Sequence, residues 1–429
     1  MKILHISAVD GQTGAGVAAA RIHIGLLGRG ISSRFCVAYP SVGLTNAFTP
    51  LLSPIGRVSR TIRQKFSARL LASYAHGYDY VLSTGLVGHD IRRIVAAECP
   101  DIVHLHWIAG DSFRLDTLAG ISVPIIWRLS DMWPFCGVAH LEPDPSNYAH
   151  PPLKSNAWGL LPRSLSEYMR LRKQRIYATL PSLNLTAPSR WLLSETRRSA
   201  LLGDRPIELI RTSCDTHVFY PRSRNVCREA LGLPADAKLV LVGATSMGTR
   251  WKGGDLFVEA MLNLISSGRL SGLRVVTFGK DPIEGAELSD TVPIDHFGQV
   301  RDARLMALLY NASDVFVAPS RMENLANTVL ESLACGTPVA AFNIGGMPDL
   351  IEHQVNGCLA PPFNTRSLAD GIAWLLEQAG NELVRQNARN KIVAEFSLDQ
   401  EIDGYMALYE KVLQARSRCA SQRECIGAV

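Results

Sequence analysis

The 429-residue sequence has no hydrophobic run long enough to form a membrane-spanning helix. Such a helix needs roughly 18 consecutive apolar residues. The N-terminal stretch MKILHISAVDGQTGAG has one lysine and a short apolar segment that ends in glycines, and it lacks the cleavage site of a secretory signal. We therefore expect a globular protein that stays in the cytoplasm.

Cysteine is present, but its spacing indicates neither a disulfide framework nor a zinc site. The nine cysteines are odd in number and scattered, and no two have the CxxC spacing. Isolated thiols of this kind are commonly buried as small hydrophobic groups. The sequence therefore predicts free thiols and no bound metal ion.

Acidic residues are absent between Asp10 and Asp79, a stretch rich in arginine and lysine. Within it, PIGRVSRTIRQKFSARLL combines basic residues with apolar residues at helical spacing. Two interpretations stay open: an amphipathic helix at an anionic membrane surface, or a packed helix with a solvated basic face. A second basic stretch at 163–175 favours the first, and nucleic acid is a weaker candidate because neither stretch interleaves aromatic and basic residues. The apolar positions are Ile55, Val58, Ile62, Phe66 and Leu70.

The length predicts two domains of roughly 200 residues each, with a cleft between them. Alternating strand and helix signals run through both halves, which is typical of parallel sheets with helical crossovers. We therefore expect an α/β protein with two Rossmann-like domains, at 1–207 and 208–395, and an interdomain crossing between Pro206 and Pro221, where the apolar stretch 207–210 gives way to a more polar one. The last segment, 396–429, is predicted to be a helix that packs back on the body of the protein.

Polar residues follow several predicted strands of the first half, where parallel sheets bind ligands. The strand at 101–107 ends in His106 and Trp107, and the strand at 123–129 is followed by Ser130 and Asp131. With His104, these side chains fall where a site is expected. Ser130 and Asp131 are candidates for catalysis, and the acceptor-side candidates are His106, Trp107 and, further along the chain, His140.

A glycine-rich turn, GQTGAG, follows the first predicted strand. Gly14 and Gly16 would let the backbone approach a diphosphate or an acceptor closely, because they have no side chain. A nicotinamide enzyme would also need a carboxylate at the end of the second strand. That strand, RFCVAYPS, has none, which argues against dinucleotide binding.

The stretch PSRMENLANTVLESLACGTPVAAFNIGGMPDLI carries Glu323 at the end of a strand and Glu331 inside the following helix. Two carboxylates so placed can accept hydrogen bonds from separate hydroxyl groups, such as those of a hexose and a ribose. The first helical N–H groups, near Asn327 and Thr328, can bind a diphosphate without a metal ion. Taken alone, two such glutamates would more often be unrelated surface charges.

This stretch resembles the donor-binding motif of the family 4 retaining glycosyltransferases of bacterial exopolysaccharide and lipopolysaccharide biosynthesis, which have the two-domain GT-B fold. The resemblance covers nearly the whole chain. It includes the glycine turn at 11–16, DMWPF at 131–135, PSRWL at 188–192, CDTHVFYP at 214–221, WKG at 251–253 and EFS at 395–397.

The resemblance implies roles for individual residues and a reaction. Glu331 matches the ribose-binding glutamate, Glu323 the glutamate that holds hydroxyls of the transferred sugar, and Lys252 the lysine that neutralises the donor diphosphate. A cation at Lys252 would stabilise the negative charge that develops on the leaving group. The implied reaction is metal-independent and retaining, and moves a hexose from a nucleotide diphosphate sugar to a glycan acceptor, free or lipid-linked. No cofactor is implied.

Three positions depart from the family pattern. Ser130 stands where many members have a histidine, and Asn324 replaces a glycine after the first glutamate. Ala244 stands where an arginine is common, so that Arg250 is the expected replacement. These departures leave an alternative open: a nucleotide-sugar-binding relative that is inactive, hydrolytic or phosphorylase-like. The candidates to stand in for the missing histidine are His106, His140 and Asp131, while Asn324 and Asn327 would add contacts to the donor.

Overall fold

The computed structural model describes residues 1–11, 13–51, 54–74, 81–152, 164–268, 270–283 and 285–427. They form two compact units: unit 1 is Met1–Thr212 with Leu398–Val429, and unit 2 is Ser213–Ser397. The chain first passes from unit 1 to unit 2 after Thr212, inside the stretch between Pro206 and Pro221. The apolar residues at the start of that stretch form strand β7 (Ile207–Leu209), which pairs with the preceding strand of sheet 1.

Unit 1 is built on sheet 1, in which seven parallel strands are ordered β3-β2-β1-β4-β5-β6-β7. Its inner strands β4 and β5 are short and buried at every residue, as expected when helices cover both faces of a parallel sheet. The strand order reverses between β1 and β4, so the loops that follow these two strands run in opposite directions and leave a crevice between them. The strands are β1 Lys2–Val9, β2 Ser32–Tyr39, β3 Ala47–Phe48, β4 Ile102–Leu105, β5 Ile125–Arg128, β6 Leu183–Ala187 and β7 Ile207–Leu209.

Unit 2 is built on sheet 2, whose six parallel strands have the order β10-β9-β8-β11-β12-β13. This order reverses between β8 and β11, which pair directly. The strands are β8 Lys238–Gly243, β9 Leu273–Phe278, β10 Ile294–His296, β11 Val315–Ala318, β12 Val339–Phe342 and β13 Gly357–Ala360.

Helices alternate with the strands in both units, as the pattern of the sequence predicts. Two short 3-10 turns lie at Leu115–Leu118 and Arg250–Lys252. Among the described residues, no helix combines the length and the apolar character needed to cross a bilayer. The helices are α1 Gly14–Gly28, α2 Pro54–Tyr74, α3 Ile91–Glu98, α4 Ser146–Ala149, α5 Leu165–Ala178, α6 Arg190–Arg198, α7 Arg224–Leu231, α8 Gly254–Ser266, α9 Ala286–Ser289, α10 Ala303–Ala312, α11 Asn327–Ala334, α12 Met347–Leu350, α13 Thr365–Glu377, α14 Glu382–Glu395 and α15 Leu398–Gly427.

The C-terminal helix α15 packs on unit 1, which confirms the predicted return. Its buried residues Ile402, Tyr405 and Tyr409 share one core cluster with Ile3 of β1 and Ile102 of β4. Burial of such large side chains typically stabilises a fold by about 1.5–3 kcal/mol each. The helix is therefore an integral layer of unit 1.

Most cysteines are buried free thiols, as predicted. Of the seven whose surroundings are described, six are buried and Cys99 is exposed. Burial raises the pKa of the Cys358 thiol to about 12, so this side chain stays a neutral thiol.

Candidate functional site

A lysine and a glutamate meet at the carboxyl edge of sheet 2. Lys252 ends the 3-10 turn that follows β8, and Glu323 lies in the loop that follows β11. Because β8 and β11 are neighbours at the point where the strand order reverses, their loops reach the same edge. The Lys252 Nζ lies 2.5 Å from the Glu323 Oε2, with 27% and 17% of the two side chains exposed. A ligand can therefore reach the pair.

Two glycines allow the loops around this pair to pack closely. Gly253 has a φ of +69°, and a Cβ there would lie 2.0 Å from the Pro319 carbonyl oxygen. Gly345 has a φ of +49°, and its Cβ would lie 1.8 Å from the Glu323 carbonyl oxygen. Any other residue would be strained and would clash. The glycines of WKG and GGMPDL thus set the backbone positions of Lys252 and Glu323.

Arg321 connects the loops that carry Lys252 and Glu323, and no sequence motif indicated this role. Its guanidinium donates two hydrogen bonds of 2.6 Å to the Asp255 carboxylate and one of 3.0 Å to the Arg250 carbonyl oxygen. Its backbone N–H donates to the Trp251 carbonyl oxygen. Bidentate pairing of this kind fixes direction as well as distance. Arg250 thus contributes its carbonyl group to this connection, and the predicted donor role of its side chain stays a prediction.

Helix α11 begins directly after the Glu323 loop and carries the second predicted glutamate. The residue at its N-terminal boundary, Ala326, makes no side-chain capping hydrogen bond. Asn327 and Thr328 form its first turn and are half-buried. The Tyr310 hydroxyl donates to the Glu331 carboxylate at 3.3 Å, and burial raises the pKa of Tyr310, which keeps that proton in place.

The remaining predicted residue of this loop, Asn324, is 8% exposed. Its side chain is therefore largely enclosed within unit 2. Whether it contacts a donor stays a prediction.

In unit 1, three of the predicted residues come together. The His140 Nδ1 lies 2.6 Å from the Asp131 Oδ2, and the Trp107 Nε1 donates to the same oxygen at 2.9 Å. The Ser83 hydroxyl lies 2.8 Å from the His140 Nε2 and accepts a hydrogen bond from the Gly110 N–H. We call Ser83, His140, Asp131 and Trp107 the unit 1 network.

The unit 1 network has the order of groups found in a Ser-His-Asp triad. If the His140 Nδ1–H donates to Asp131, the Nε2 accepts from the Ser83 hydroxyl. Ser83 is 1% exposed and His140 is 5% exposed, so the hydroxyl is closed off from solvent. The network therefore orients Asp131 and Trp107 and offers no accessible nucleophile.

The other predicted residues of unit 1 lie apart from this network. Ser130 accepts a hydrogen bond of 3.1 Å from Arg128. His106 is fully buried and bonded to His5, which leaves no surface for an acceptor. Gly14 and Gly16 form the start of α1, where the Thr13 hydroxyl accepts from the Gly16 N–H. A direct role of these glycines in donor binding stays a prediction.

Lys173 of α5 holds the DMWPF segment in place from the protein interior, and no sequence motif indicated this role. Its ammonium donates to the carbonyl oxygens of Trp133, Cys136 and Gly137 and lies 4.0 Å from the centre of the Trp133 ring. Burial lowers the pKa of Lys173 to about 7. Arg170, which lies with Lys173 on helix α5, is also buried. Two cations of the second basic stretch therefore face the interior and cannot add to a basic surface, whereas Arg175 of the same stretch is exposed.

Comparison with known proteins adds a family match in unit 2. Residues 236–378, about a third of the chain, match the family model described as "Glycosyl transferases group 1". This segment carries the group 1 glycosyltransferase pattern. The Lys252–Glu323 pair and the start of α11 lie within it.

Two curated relatives are similar over about half of the chain. A D-inositol 3-phosphate glycosyltransferase of Mycolicibacterium smegmatis is 28% identical over 218 residues, which cover 48% of this chain and 48% of the relative. Its counterpart in Mycolicibacterium paratuberculosis is 30% identical over 234 residues, which cover 52% and 50%. The chain therefore spans about half the length of these curated relatives.

Solved structures resemble the chain over nearly its full length. Sucrose-phosphate synthase from Thermosynechococcus elongatus has a TM-score of 0.68 and 18% identity, covering 97% of this chain and 100% of that one. Anabaena Alr3699/HepE in complex with UDP has a TM-score of 0.64 and 16% identity, covering 96% and 100%. At these identities the likeness shows the fold alone. It confirms the predicted GT-B class, with two Rossmann-like parallel-sheet domains.

Proposed function

We propose that the protein is a hexosyltransferase that moves a hexose from a nucleotide diphosphate sugar to a glycan acceptor in bacterial polysaccharide biosynthesis. The observation that carries the proposal is the partly exposed Lys252–Glu323 pair, in the loops that precede the start of α11. It places a cation, a carboxylate and helical N–H groups at one edge of sheet 2. The glycosyltransferase pattern of residues 236–378 and the UDP bound by a protein of the same fold support this donor class.

The proposed reaction retains the anomeric configuration and uses no catalytic metal ion. On donor binding, Lys252 exchanges Glu323 for the diphosphate, and Glu323 accepts from hydroxyls of the hexose. Glu331, fixed by Tyr310, accepts from the ribose. The leaving phosphate oxygen takes the proton of the incoming hydroxyl on the same face of the sugar. The protein then contributes position and charge rather than a nucleophile.

A binding screen tests the donor site. We would follow the unfolding temperature with UDP-, GDP- and ADP-sugars in the presence of EDTA, for wild type, Lys252→Ala and Glu331→Ala. Lys391→Ala is the matched control, because Lys391 also forms an ion pair, with Glu352 and Glu395, on another part of unit 2. We expect one nucleotide class to stabilise the wild type and the control, and both site variants to weaken that response.

The same samples separate the proposal from its alternatives. Donor consumption without an acceptor would favour a hydrolytic or phosphorylase-like enzyme, and binding without any turnover would favour an inactive relative. If no nucleotide sugar changes the unfolding temperature, the transferase proposal fails.

We further propose that helix α2 rests on an anionic membrane surface and brings the enzyme to a lipid-linked acceptor on the cytoplasmic side. Val58, Ile62 and Phe66 follow each other at intervals of four residues and are 62%, 64% and 60% exposed. A packed helix would bury this stripe, whereas Ser67 is the buried residue among the side chains of α2 that the structure describes. Lys65 and Arg69 are exposed among the apolar positions, a combination that suits anionic lipid.

The rest of the predicted stripe adds little to this argument. Leu70 is half-buried, and the side chain of Ile55 lies outside the described residues. The proposal therefore rests on the three exposed apolar residues and their basic neighbours.

Vesicle sedimentation tests this surface. Wild type should bind vesicles containing phosphatidylglycerol and release them at high salt, because the charge attraction is screened. The double variant Ile62→Ser with Phe66→Ser should bind much less. Leu383→Ser, which removes an equally exposed apolar side chain from unit 2, should bind like wild type. Equal binding of all three proteins, or none by wild type, would contradict the proposal.

A further inference from the structure

Three histidines lie side by side in the layer between sheet 1 and helices α1 and α15. His5 of β1 pairs in register with His104 of β4, and His106 lies two residues further along the chain. Because side chains alternate across a strand, all three point to the same face. Each is completely buried.

Aliphatic side chains surround this position along the same face. Ile3 lies two residues before His5, and Ile102 lies two residues before His104; both pack with α1 and α15 in one hydrophobic cluster. A polar ring in such a layer loses its water and needs partners within the protein. Three adjacent imidazoles therefore require an explanation that packing alone does not provide.

The hydrogen bonds of the three rings are incomplete. The His5 Nδ1 lies 2.9 Å from the His106 Nε2, and the His104 Nδ1 lies 2.8 Å from the Tyr409 hydroxyl. The remaining nitrogens have no hydrogen-bond partner among the described residues; they are the His5 Nε2, the His104 Nε2 and the His106 Nδ1. In either tautomer of the His5–His106 hydrogen bond, one of the two rings keeps a bare lone pair and the other an unpaired N–H.

The rings are held in the neutral form that metal ions bind. Burial lowers the pKa of all three, with the pKa of His104 falling to about 3, where the nearby charge of Arg128 adds to the effect. Neutral imidazoles keep a lone pair at ordinary pH, and metal ions bind that form.

The geometry brings the three rings within reach of one ion. One ring nitrogen of each residue lies within 4.8 Å of the other two. The ring centres of His104 and His106 are 4.3 Å apart, and those of His5 lie 5.0 Å and 5.2 Å from them. Metal–nitrogen bonds of about 2.1 Å would require small ring rotations to draw these atoms closer.

We propose that His5, His104 and His106 together bind one late first-row transition-metal ion, Zn²⁺ or Cu⁺, as a structural site inside unit 1. Imidazole suits both ions. The Tyr409 hydroxyl orients His104 in the way that outer-shell partners orient ligand histidines. The adjacent cation of Arg128 favours the ion of lower charge, Cu⁺. The site is closed to solvent and separate from the donor site, so this inference does not rest on the proposed function.

The neighbouring His23 provides a matched control. It packs against His5 with ring centres 5.6 Å apart and is also buried. Both of its nitrogens have partners, the Ser33 hydroxyl at 2.6 Å and the Thr45 carbonyl oxygen at 2.7 Å. Its substitution removes a buried imidazole without removing a proposed ligand.

The experiment measures metal bound to the full-length chain, prepared without an affinity tag from cells supplied with Zn²⁺ or with copper. After gel filtration in EDTA, and under reducing conditions for Cu⁺, elemental analysis should find about one equivalent of one of the two ions in wild type. His104→Gln and His106→Gln should lose at least nine-tenths of it. His23→Gln should keep it.

Two further measurements keep the proposal open to refutation if a ligand variant misfolds. Tyr409→Phe leaves the three ligands in place and should weaken metal binding by about tenfold or more. Wild type refolded with Co²⁺ should show the visible absorption of a low-coordinate cobalt site, and Zn²⁺ should remove it. The proposal is overturned if wild type holds neither ion, or if it and the ligand variants hold equal amounts.

Discussion

Sheet 1 and sheet 2 share one strand order around the point where it reverses, yet they bury different kinds of side chain on the face covered by the helix that follows β1 in unit 1 and β8 in unit 2. In sheet 1, β1 and β4 direct His5 and His104 toward α1 and α15. In sheet 2, β8 and β11 direct valines, including Val242 and Val317, toward α8 and α13. Backbone topology thus sets where side chains point but does not set their polarity.

The carboxyl edges of the two sheets differ as well. At the edge of sheet 2, Lys252 and Glu323 pair with each other while staying partly exposed, which suits a site that exchanges this pairing for a ligand. At the edge of sheet 1, the unit 1 network is largely enclosed and its histidine is hydrogen-bonded at both nitrogens. The edge of sheet 2 thus presents charged groups that a ligand can contact, whereas the polar groups at the edge of sheet 1 stabilise the local structure.

Removing the exposed cation should have the largest effect on turnover. We expect Lys252→Ala to lower kcat/KM for the donor by about 100- to 1,000-fold, roughly 3 kcal/mol of transition-state stabilisation. Stability should change little, because a partly exposed ion pair contributes about 1 kcal/mol or less. The measurement is steady-state kinetics beside urea unfolding, with Lys391→Ala as control. A loss of less than about threefold in kcat/KM would contradict the assigned role.

Lowering the pH should destabilise unit 1 before it destabilises unit 2. The folded-state pKa values of His5, His104 and His106 lie below the unfolded value of 6.5, so the unfolded chain takes up protons first as the pH falls. Stability from these residues is therefore full above pH 6.5 and is lost below it, by roughly 1.4 kcal/mol per pH unit for each histidine. Hydrogen exchange at pH 7 and pH 5 should show β1 and β4 losing protection well before β8 and β11.

A matched variant checks that the histidines cause this difference. His104→Gln should make the stability of unit 1 less dependent on pH, by roughly 1.4 kcal/mol per pH unit below pH 6. Equal loss of protection in the two units, or an unchanged slope in the variant, would show that other groups control the acid response.

The unit 1 network should matter for stability rather than for turnover. Ser83→Ala removes the hydroxyl between His140 and the Gly110 N–H, and should lower the free energy of unfolding by about 1 kcal/mol. Donor binding should stay the same. Urea unfolding and donor titration measure both quantities. A large fall in kcat with normal stability would instead place Ser83 in the chemistry.

The smallest effect is expected from the connection between the donor-site loops. Arg321→Lys keeps the charge but loses the two parallel hydrogen bonds to Asp255. We expect the KM for the donor to rise by about threefold with little change in kcat, because the loops become less well ordered. Asp255→Asn should act in the same direction. Unchanged donor kinetics in both variants would mean that the two glycines alone position the loops.

The strands and the donor-site loops were predictable because their signals are local. Short apolar runs mark β8, β9 and β11, and the positions of Glu323 and Lys252 follow from motifs of a few consecutive residues. The edge strand β7 was not predictable as a strand, because three residues give too little sequence to distinguish a strand from a connection.

The remaining features depend on contacts between distant positions. Ser83 and His140 are 57 residues apart, and His104 and Tyr409 are 305 residues apart. Neither pair has a local pattern, so neither could be predicted from spacing. Likewise, α2 has the periodicity of a packed helix, and the fold alone reveals that Ile62 and Phe66 face outward.

The interrupted make-up of unit 1 has a consequence for synthesis on the ribosome. The chain leaves this unit after Thr212 and completes it with α15, whose Tyr405 and Tyr409 cover the histidine layer. Since domains generally fold as units while the chain emerges, unit 2 can finish folding before the last layer of unit 1 has been made. Completion of unit 1 therefore has to wait until α15 has left the ribosome.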